Sequence, residues 1–305
     1  MESVRTMEIQ SVILEGQLLR VGIWRGSDAS PPLVIFNGIG ANLELVQPFV
    51  DALGDVEVVM FDIPGVGGSP APLAPYRFST LSVLTDKLLV KLGYAGPVDV
   101  LGVSWGGALA QQFAYQYPSR CRRLVLASTS PGVIMVPGRI SVLSKLIGSR
   151  RYKDPEFLQE VGAEIYGGVY RSDPELLKEH GRHIQAPGGR GYVYQLLAVW
   201  GWSSLLWLGC LRQPTLVMHG DDDPIVPLVN AKILASRIRQ ATLHVVEDGH
   251  LFLVTRTSEV APLVRDFLLR ELRRTVSRSG VFPHTIPAQC ARRIGLATHQ
   301  RIEGE

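Results

Sequence analysis

Cysteine is scarce in this sequence, which has only Cys121, Cys210 and Cys290 among its 305 residues. Their odd number and wide spacing predict neither a disulfide framework nor a zinc site, and they favour a reducing compartment. No run approaches the roughly 18 uninterrupted apolar residues that a membrane-spanning helix needs. The polar start of the chain lacks the pattern of a secretory signal. We therefore expect a cytoplasmic protein without a transmembrane segment.

An excess of charge is lacking as well. The formal net charge of +3 is too small to predict a nucleic-acid partner. The end of the chain holds six arginines, so we interpret residues 273–305 as a solvated, flexible basic tail. The 46% of hydrophobic and 19% of charged residues are typical of a globular protein with a sizeable core.

The first part of the chain alternates between strand and helix patterns. Two β-type runs, Glu8–Leu14 and Gln17–Trp24, are joined by a turn. Buried strands are predicted at Leu33–Phe36, Val56–Phe61, Val98–Val103 and Arg123–Ala127, with helices at Leu43–Leu53, Leu81–Leu92 and Trp105–Tyr117. This alternation predicts an α/β fold with a mostly parallel, doubly wound sheet.

The alternation stops between residues 131 and 213, where helical pieces, paired glycines and several tryptophans replace it. It resumes with strands at Thr215–Met218 and Leu243–Glu247 and helices at Leu228–Ile238 and Val260–Leu272. We therefore predict a core built from residues 1–130 and 214–272, and a helical cap inserted at residues 131–213.

The strongest catalytic motif is Gly102-Val103-Ser104-Trp105-Gly106, which fits the pattern G-x-S-x-G. It lies between a predicted buried strand and a predicted helix, and this is the context of a nucleophile elbow. The strained turn needs residues without side chains two positions on either side of the serine. We predict Ser104 as the nucleophile.

A serine hydroxyl needs a base, and the base needs an orienting acid, both expected after later strands. Asp223 precedes Pro-Ile-Val-Pro and is the predicted acid, whereas Asp221 and Asp222 are interpreted as turn or capping residues. Of the seven histidines, His250 alone both follows the acid and ends a strand, so it is the predicted base. His219 suits a structural role, and His180 is interpreted as a surface residue.

An oxyanion hole is predicted at Asn37-Gly38-Ile39-Gly40, which follows the strand Leu33–Phe36. The backbone N–H groups of Ile39 and Trp105 would donate to the oxyanion. The glycine-rich turn 62–69 is interpreted as structural because it lacks the G-K-[ST] of a phosphate-binding loop. Neither a metal nor a cofactor is needed for this chemistry.

With these motifs the chain resembles the α/β-hydrolase superfamily and, more narrowly, the intracellular depolymerases of medium-chain-length polyhydroxyalkanoates. The narrower resemblance covers about residues 8–272. It depends on the segments Ile35–Val46, Gly102–Phe113, Val136–Gly138, Ile165–Gly168, Gly220–Pro224 and Asp248–Leu253. Asn37 departs from the general H-G-x-G pattern of oxyanion loops, which main-chain donors tolerate, whereas the loop Asn-Gly-Ile-Gly-Ala-Asn is one of the more specific features of the narrower resemblance.

The resemblance implies a hydrophobic polyester of 3-hydroxy fatty acids as substrate, and contact with the surface of storage granules. Apolar residues flanking the cap would face such a surface or pack the cap onto the core. The candidates are Trp200, Trp202, Trp207 and the run Val133–Val136.

Other functions are compatible with the same fold. A carboxylesterase, thioesterase or carbon–carbon bond hydrolase for soluble substrates would use the same triad. A non-catalytic ligand-binding protein would not need all three groups. Serine at position 104 disfavours a haloalkane dehalogenase, which would have aspartate there, and a polyester synthase, which would have cysteine.

Overall fold

An eight-stranded sheet forms the centre of the protein in the computed structural model. The strands are β1 (Glu8–Leu14), β2 (Gln17–Trp24), β3 (Leu33–Phe36), β4 (Val58–Phe61), β5 (Val98–Val103), β6 (Cys121–Ala127), β7 (Thr215–Gly220) and β8 (Ala241–Val246). The structure describes residues 4–27, 30–146, 148, 150–186 and 188–270. The predicted tail at 273–305 lies outside the described residues.

The sheet order is β1-β2-β4-β3-β5-β6-β7-β8. The β1/β2 and β2/β4 pairs are antiparallel, and every later pair is parallel. The predicted mostly parallel, doubly wound sheet is therefore confirmed. The antiparallel pairs at one edge arise because β1 and β2 form a hairpin.

The chain reverses its direction across the sheet between β3 and β5. From β3 it moves outward to β4, and it then crosses back to place β5 on the other side of β3. Loops that leave two neighbouring strands in opposite directions open a crevice at their carboxyl ends. Here those loops begin at Asn37 and Ser104.

Helices cover both faces of the sheet. They are α1 (Gln47–Ala52), α2 (Phe78–Lys91), α3 (Trp105–Gln116), α4 (Ile140–Leu146), α5 (Arg150–Lys153), α6 (Pro155–Tyr166), α7 (Pro174–Arg182), α8 (Gly189–Val199), α9 (Leu228–Arg237), α10 (Phe252–Thr255) and α11 (Thr257–Leu269). Because the strands are buried on both faces, two apolar clusters form, one on each side. Phe113 of α3 lies in one cluster and Phe49 of α1 in the other.

Five of the helices, α4 to α8, lie between β6 and β7, where the strand–helix alternation of the sequence stops. We call residues 131–213 the helical insertion. It has an apolar cluster of its own, which includes Val142, Ile165 and Leu177. Helices α4 to α8 thus lie between two strands of the sheet, and their assignment as a separate cap stays a prediction.

Two further expectations concern the cysteines and membrane-spanning helices. Cys121 is a buried free thiol. Among the residues that the structure describes, no helix is both long and apolar enough to cross a membrane.

Candidate active site

Ser104 lies in the sharp turn between β5 and α3, with φ 53° and ψ −115°. Residues with a side chain rarely adopt this backbone conformation, and the tight turn leaves no room for side chains at the neighbouring glycines. A Cβ on Gly106 would lie 2.1 Å from the carbonyl oxygen of Phe36, and one on Gly102 would lie 2.4 Å from the carbonyl oxygen of Gly106. The strained elbow expected from the motif is present.

Asp223 and His250 are paired at the carboxyl edge of the sheet. The Nδ1 atom of His250 lies 2.7 Å from Oδ2 of Asp223, and both residues are buried. The other carboxylate oxygen of Asp223 accepts the N–H groups of Ile225 and Val226, each at 2.9 Å. Since these donors fix the carboxylate, the imidazole is fixed as well, with Nε2 left for a proton transfer.

Ser104 and His250 line the same cavity. Among the described residues, no hydrogen bond joins the Ser104 hydroxyl to the imidazole of His250. In enzymes without substrate this contact is often long and tightens only when substrate binds. The structure thus brings all three predicted catalytic residues to one edge, with the acid–base pair already formed.

The three adjacent aspartates have different surroundings. Asp221 is exposed, and Asp222 accepts hydrogen bonds from Nε of Arg171 at 2.6 Å and from the N–H of Gly168 at 2.7 Å. The Arg171 contact holds the pKa of Asp222 below its usual range. Of the three, Asp223 alone is hydrogen-bonded to His250, whereas the carboxylate of Asp222 pairs with Arg171 of the insertion.

His219 is a second histidine beside the acid. Its Nε2 lies 2.7 Å from the carbonyl oxygen of Val226 and 3.4 Å from Oδ2 of Asp223. Burial lowers the pKa of His219, so its ring is neutral and supports the acid loop through Val226. This arrangement agrees with the structural role expected from the sequence.

Residues of the helical insertion form hydrogen bonds with the predicted oxyanion loop. Tyr152 donates its hydroxyl to the carbonyl oxygen of Ile39, and the N–H of Gly40 donates to Oε1 of Gln195 at 2.8 Å. Nε1 of Trp105 donates to the backbone oxygen of Gln195, also at 2.8 Å. Trp105 begins α3, so its N–H has no acceptor within the helix. Ile39 lines both cavities that contain Ser104, and Trp105 follows Ser104 in the chain, so their N–H groups stay the predicted donors to an oxyanion.

Two cavities meet at Ser104. One contains His250 and reaches polar groups of the insertion, among them Arg151 and His180. The other, of about 280 Å³, is lined mainly by apolar side chains. Its apolar lining includes Trp105, Ala108, Met135, Leu143, Leu146, Leu196 and Val199. Apolar side chains also form most of the lining of the first cavity, so an ester bound at Ser104 can place alkyl groups in both.

Several residues of this site were missed by the sequence analysis. His180, which was expected on the surface, is half-buried: it packs against the rings of Tyr166 and Tyr170 and lines the cavity. Burial, followed by the nearby His183, lowers the pKa of His180 to about 4. No sequence pattern pointed to Arg151 as a site residue, because the segment around it resembles an exposed basic helix.

The tryptophans of the insertion divide between surface and interior. Trp200 is 81% exposed, whereas Trp202 donates to Oε1 of Gln112 at 2.9 Å and packs against Phe78 and Trp207. Trp202 therefore packs the insertion onto the core, whereas the ring of Trp200 lies at the surface. In the run 133–136, Met135 lines the apolar cavity while its neighbours are exposed.

Residues 31–257 match the model of the α/β hydrolase fold family, so the chain belongs to that family. Within it, the chain is 52% identical to a poly(3-hydroxyalkanoate) depolymerase of Ectopseudomonas oleovorans, over 88% of this chain and 94% of that protein. It is 24% identical to 3-oxoadipate enol-lactonase 2 of Acinetobacter baylyi, over 74% of this chain and 84% of that protein. The solved enol-lactonase of Burkholderia xenovorans has the same fold, with a TM-score of 0.73 at 21% identity over 86% of this chain and all of that one.

Proposed function

We propose that this protein is a serine hydrolase that cleaves the ester bonds of medium-chain-length poly(3-hydroxyalkanoate). The hydrolytic chemistry is supported by the Asp223–His250 pair, which opens onto the cavity of Ser104. The observation that carries the polyester substrate is the 52% identity to the depolymerase, since it extends over core and insertion alike. The apolar cavity beside Ser104 would hold the alkyl side chain of such a polymer.

In the first half of the reaction, His250 takes the proton of the Ser104 hydroxyl as its oxygen attacks the ester carbonyl carbon. Asp223 keeps the imidazole in the required tautomer and stabilises its positive charge. The N–H groups of Ile39 and Trp105 bind the oxyanion of the tetrahedral intermediate. The ester C–O bond then breaks, and the leaving alcohol takes the proton from His250.

In the second half, water attacks the acyl group on Ser104. His250 now takes a proton from the water molecule and returns it to the serine oxygen as the acyl–serine bond breaks. The products are a carboxylic acid and the free enzyme. Neither step needs a group beyond the residues of the chain and water.

We also propose that residues 131–213 act as a cap that brings the site to the surface of a cytoplasmic storage granule. Val133, Ile134, Val136 and Ile140 are 46%, 53%, 43% and 84% exposed. They flank Met135, which lines the apolar cavity beside Ser104. An exposed apolar strip that continues into the substrate cavity suits a polymer that cannot diffuse into the enzyme.

The decisive experiment measures acid release from an amorphous suspension of medium-chain-length polyhydroxyalkanoate. Wild-type protein is compared with Ser104→Ala, and p-nitrophenyl octanoate is the soluble control substrate. We expect release by the wild type and a loss of about 10⁴-fold or more in the variant, because nucleophile removal leaves only binding and oxyanion stabilisation.

Hydrolysis of p-nitrophenyl octanoate tests the nucleophile separately from the polymer substrate. Cleavage of that ester alone, again lost in Ser104→Ala, would keep the nucleophile and make the protein a soluble-substrate esterase. Activity that survives in Ser104→Ala on either substrate would disprove the assignment of the nucleophile.

A further inference from the structure

Arg151 is the basic residue of the insertion that faces the reaction cavity. It lies in the short helix α5, is 3% exposed, and lines the cavity together with Ser104 and His250. Arginine stays protonated throughout the pH range in which proteins are folded. A buried positive charge therefore lies at the edge of the reaction site.

The partners of this guanidinium are neutral. Nη2 donates to the hydroxyl of Tyr152 at 2.9 Å, and Nη1 contacts the hydroxyl of Tyr192 at 3.1 Å. The rings of the same two tyrosines lie 4.4 and 5.6 Å from the guanidinium carbon. Nη1 also contacts the carbonyl oxygens of Leu146 and Gly148 at 3.3 and 3.4 Å. Nε is buried and has no hydrogen-bond partner.

Arg20 shows the pairing with carboxylates that Arg151 lacks among the described residues. Arg20 is partly buried, and it pairs with Glu44 at 2.5 Å and with the fully buried carboxylate of Asp62 at 3.1 Å. Among the described residues, no carboxylate pairs with Arg151. A buried charge without a counter-ion is costly, so such groups are usually paired or have a ligand. A ligand with a negative charge can supply the missing counter-ion.

We infer that Arg151 binds a free carboxylate of the substrate, which in this protein is the carboxyl end of the polyester chain. This inference rests on the proposed function. Tyr152 links Arg151 to the carbonyl of Ile39, so the guanidinium is two hydrogen bonds away from the oxyanion loop. In the terminal unit of the polymer, the carboxylate is separated from the scissile ester oxygen by only two carbon atoms. A carboxylate on Arg151 thus places the last ester bond near Ser104.

This placement makes cleavage proceed from the carboxyl end. Ser104 attacks the carbonyl of the second-last unit, and the terminal 3-hydroxy acid leaves as the alcohol, taking its proton from His250. Water then releases the remaining chain from Ser104. That chain is one unit shorter and again ends in a carboxylate, so Arg151 can bind the new end in the next cycle.

The test uses the linear dimer of 3-hydroxyoctanoic acid and the methyl ester of the same dimer. Both have the same internal ester, and only the free acid can pair with Arg151. We expect wild-type kcat/KM to be about 10- to 100-fold higher for the acid, since a charge-assisted contact has that magnitude. Arg151→Met should bring this ratio close to 1, and Arg151→Lys should keep part of it. A ratio measured within one variant is independent of how much of the protein is folded.

Arg150→Met is the matched control. Arg150 is exposed and pairs with Asp154 at 3.0 Å, so its replacement should leave the acid-to-ester ratio at the wild-type value. Equal rates on the two dimers in the wild type, or an unchanged ratio in Arg151→Met, would overturn the inference. A loss of activity by the same factor on both dimers in Arg151→Met would assign a structural role to Arg151.

A second readout remains informative even if the polymer is not a substrate. Hydrolysis of p-nitrophenyl octanoate is measured with 3-hydroxyoctanoate or the neutral 1,3-octanediol as inhibitor. We expect the acid to inhibit the wild type at least about tenfold more strongly than the diol, and Arg151→Met to lose that difference. Polymer cleavage with equal inhibition by both compounds would retain the proposed function and reject the role of Arg151.

Discussion

The core loops and the helical insertion hold their functional side chains in different ways. In the core, Ser104 and the Asp223–His250 pair follow the ends of strands, and backbone N–H groups fix the acid. In the insertion, Tyr152 and Gln195 reach the site through contacts with residues more than 100 positions away in sequence. The comparison teaches that the ends of the sheet strands position the reacting groups, whereas the helices inserted between two strands decide what surrounds them.

The acid loop gives the sharpest test of the core. Asp223→Asn should lower kcat on p-nitrophenyl octanoate by about 10³- to 10⁴-fold, because an amide neither holds the imidazole in the required tautomer nor stabilises its charge. Asp222→Asn is the matched control, since Asp222 pairs with Arg171 at the surface and should change kcat only slightly. Similar losses in both variants would show that the loop as a whole, and not the acid, was disturbed.

The insertion should also set part of the acid sensitivity of the protein. The pKa of His180 lies at about 4, below its ordinary value of 6.5, so the unfolded chain takes up a proton first. The free energy of unfolding should therefore fall as pH drops from 6.5 to 4, by up to about 3 kcal/mol.

Replacement of His180 by phenylalanine checks this expectation. His180→Phe should flatten the loss of stability between pH 6.5 and 4, as measured by urea unfolding at several pH values. His183→Phe should reduce the slope less than His180→Phe, because His183 is exposed and lowers the pKa of His180 less than burial does. Equal slopes in the wild type and His180→Phe would contradict the burial effect.

Gln195 tests whether the insertion supports the oxyanion loop. Gln195→Met leaves the N–H of Gly40 without its acceptor, which should cost about 1–3 kcal/mol. We expect a lower melting temperature and a fall in kcat of about tenfold, with KM changed less. A lower melting temperature with kcat intact would mean that Gln195 stabilises the fold without positioning the donors.

The smallest effects are expected at the exposed apolar strip. Ile134→Ser should reduce binding to polymer particles and polymer hydrolysis a few-fold, while hydrolysis of p-nitrophenyl octanoate stays close to the wild-type rate. Ile13→Ser is a suitable control, because Ile13 is 62% exposed on β1, in the antiparallel hairpin and outside the insertion. A parallel loss on both substrates would contradict a role in contacting the particle.

The strands and the elbow could be predicted because their signals are local. Glu8–Leu14, Gln17–Trp24 and Val98–Val103 were predicted with the bounds that the structure gives. The helix expected at Leu43–Leu53 is instead a 3-10 turn, Leu43–Val46, followed by α1, because Pro48 favours a new helix start there. Element ends depend on such neighbours more than on the apolar pattern.

The sequence by itself determined the order of the elements and the three residues at the ends of strands β5, β7 and β8. Apolar runs and glycine turns follow from the chemistry of neighbouring residues, and parallel strands bring their carboxyl ends to one edge. Only the tertiary structure decided that Arg151 and His180 face the cavity and that Gln195 holds the oxyanion loop. The residues around these side chains belong to distant segments of the chain. No local sequence pattern predicts which distant segment will pack against a given side chain.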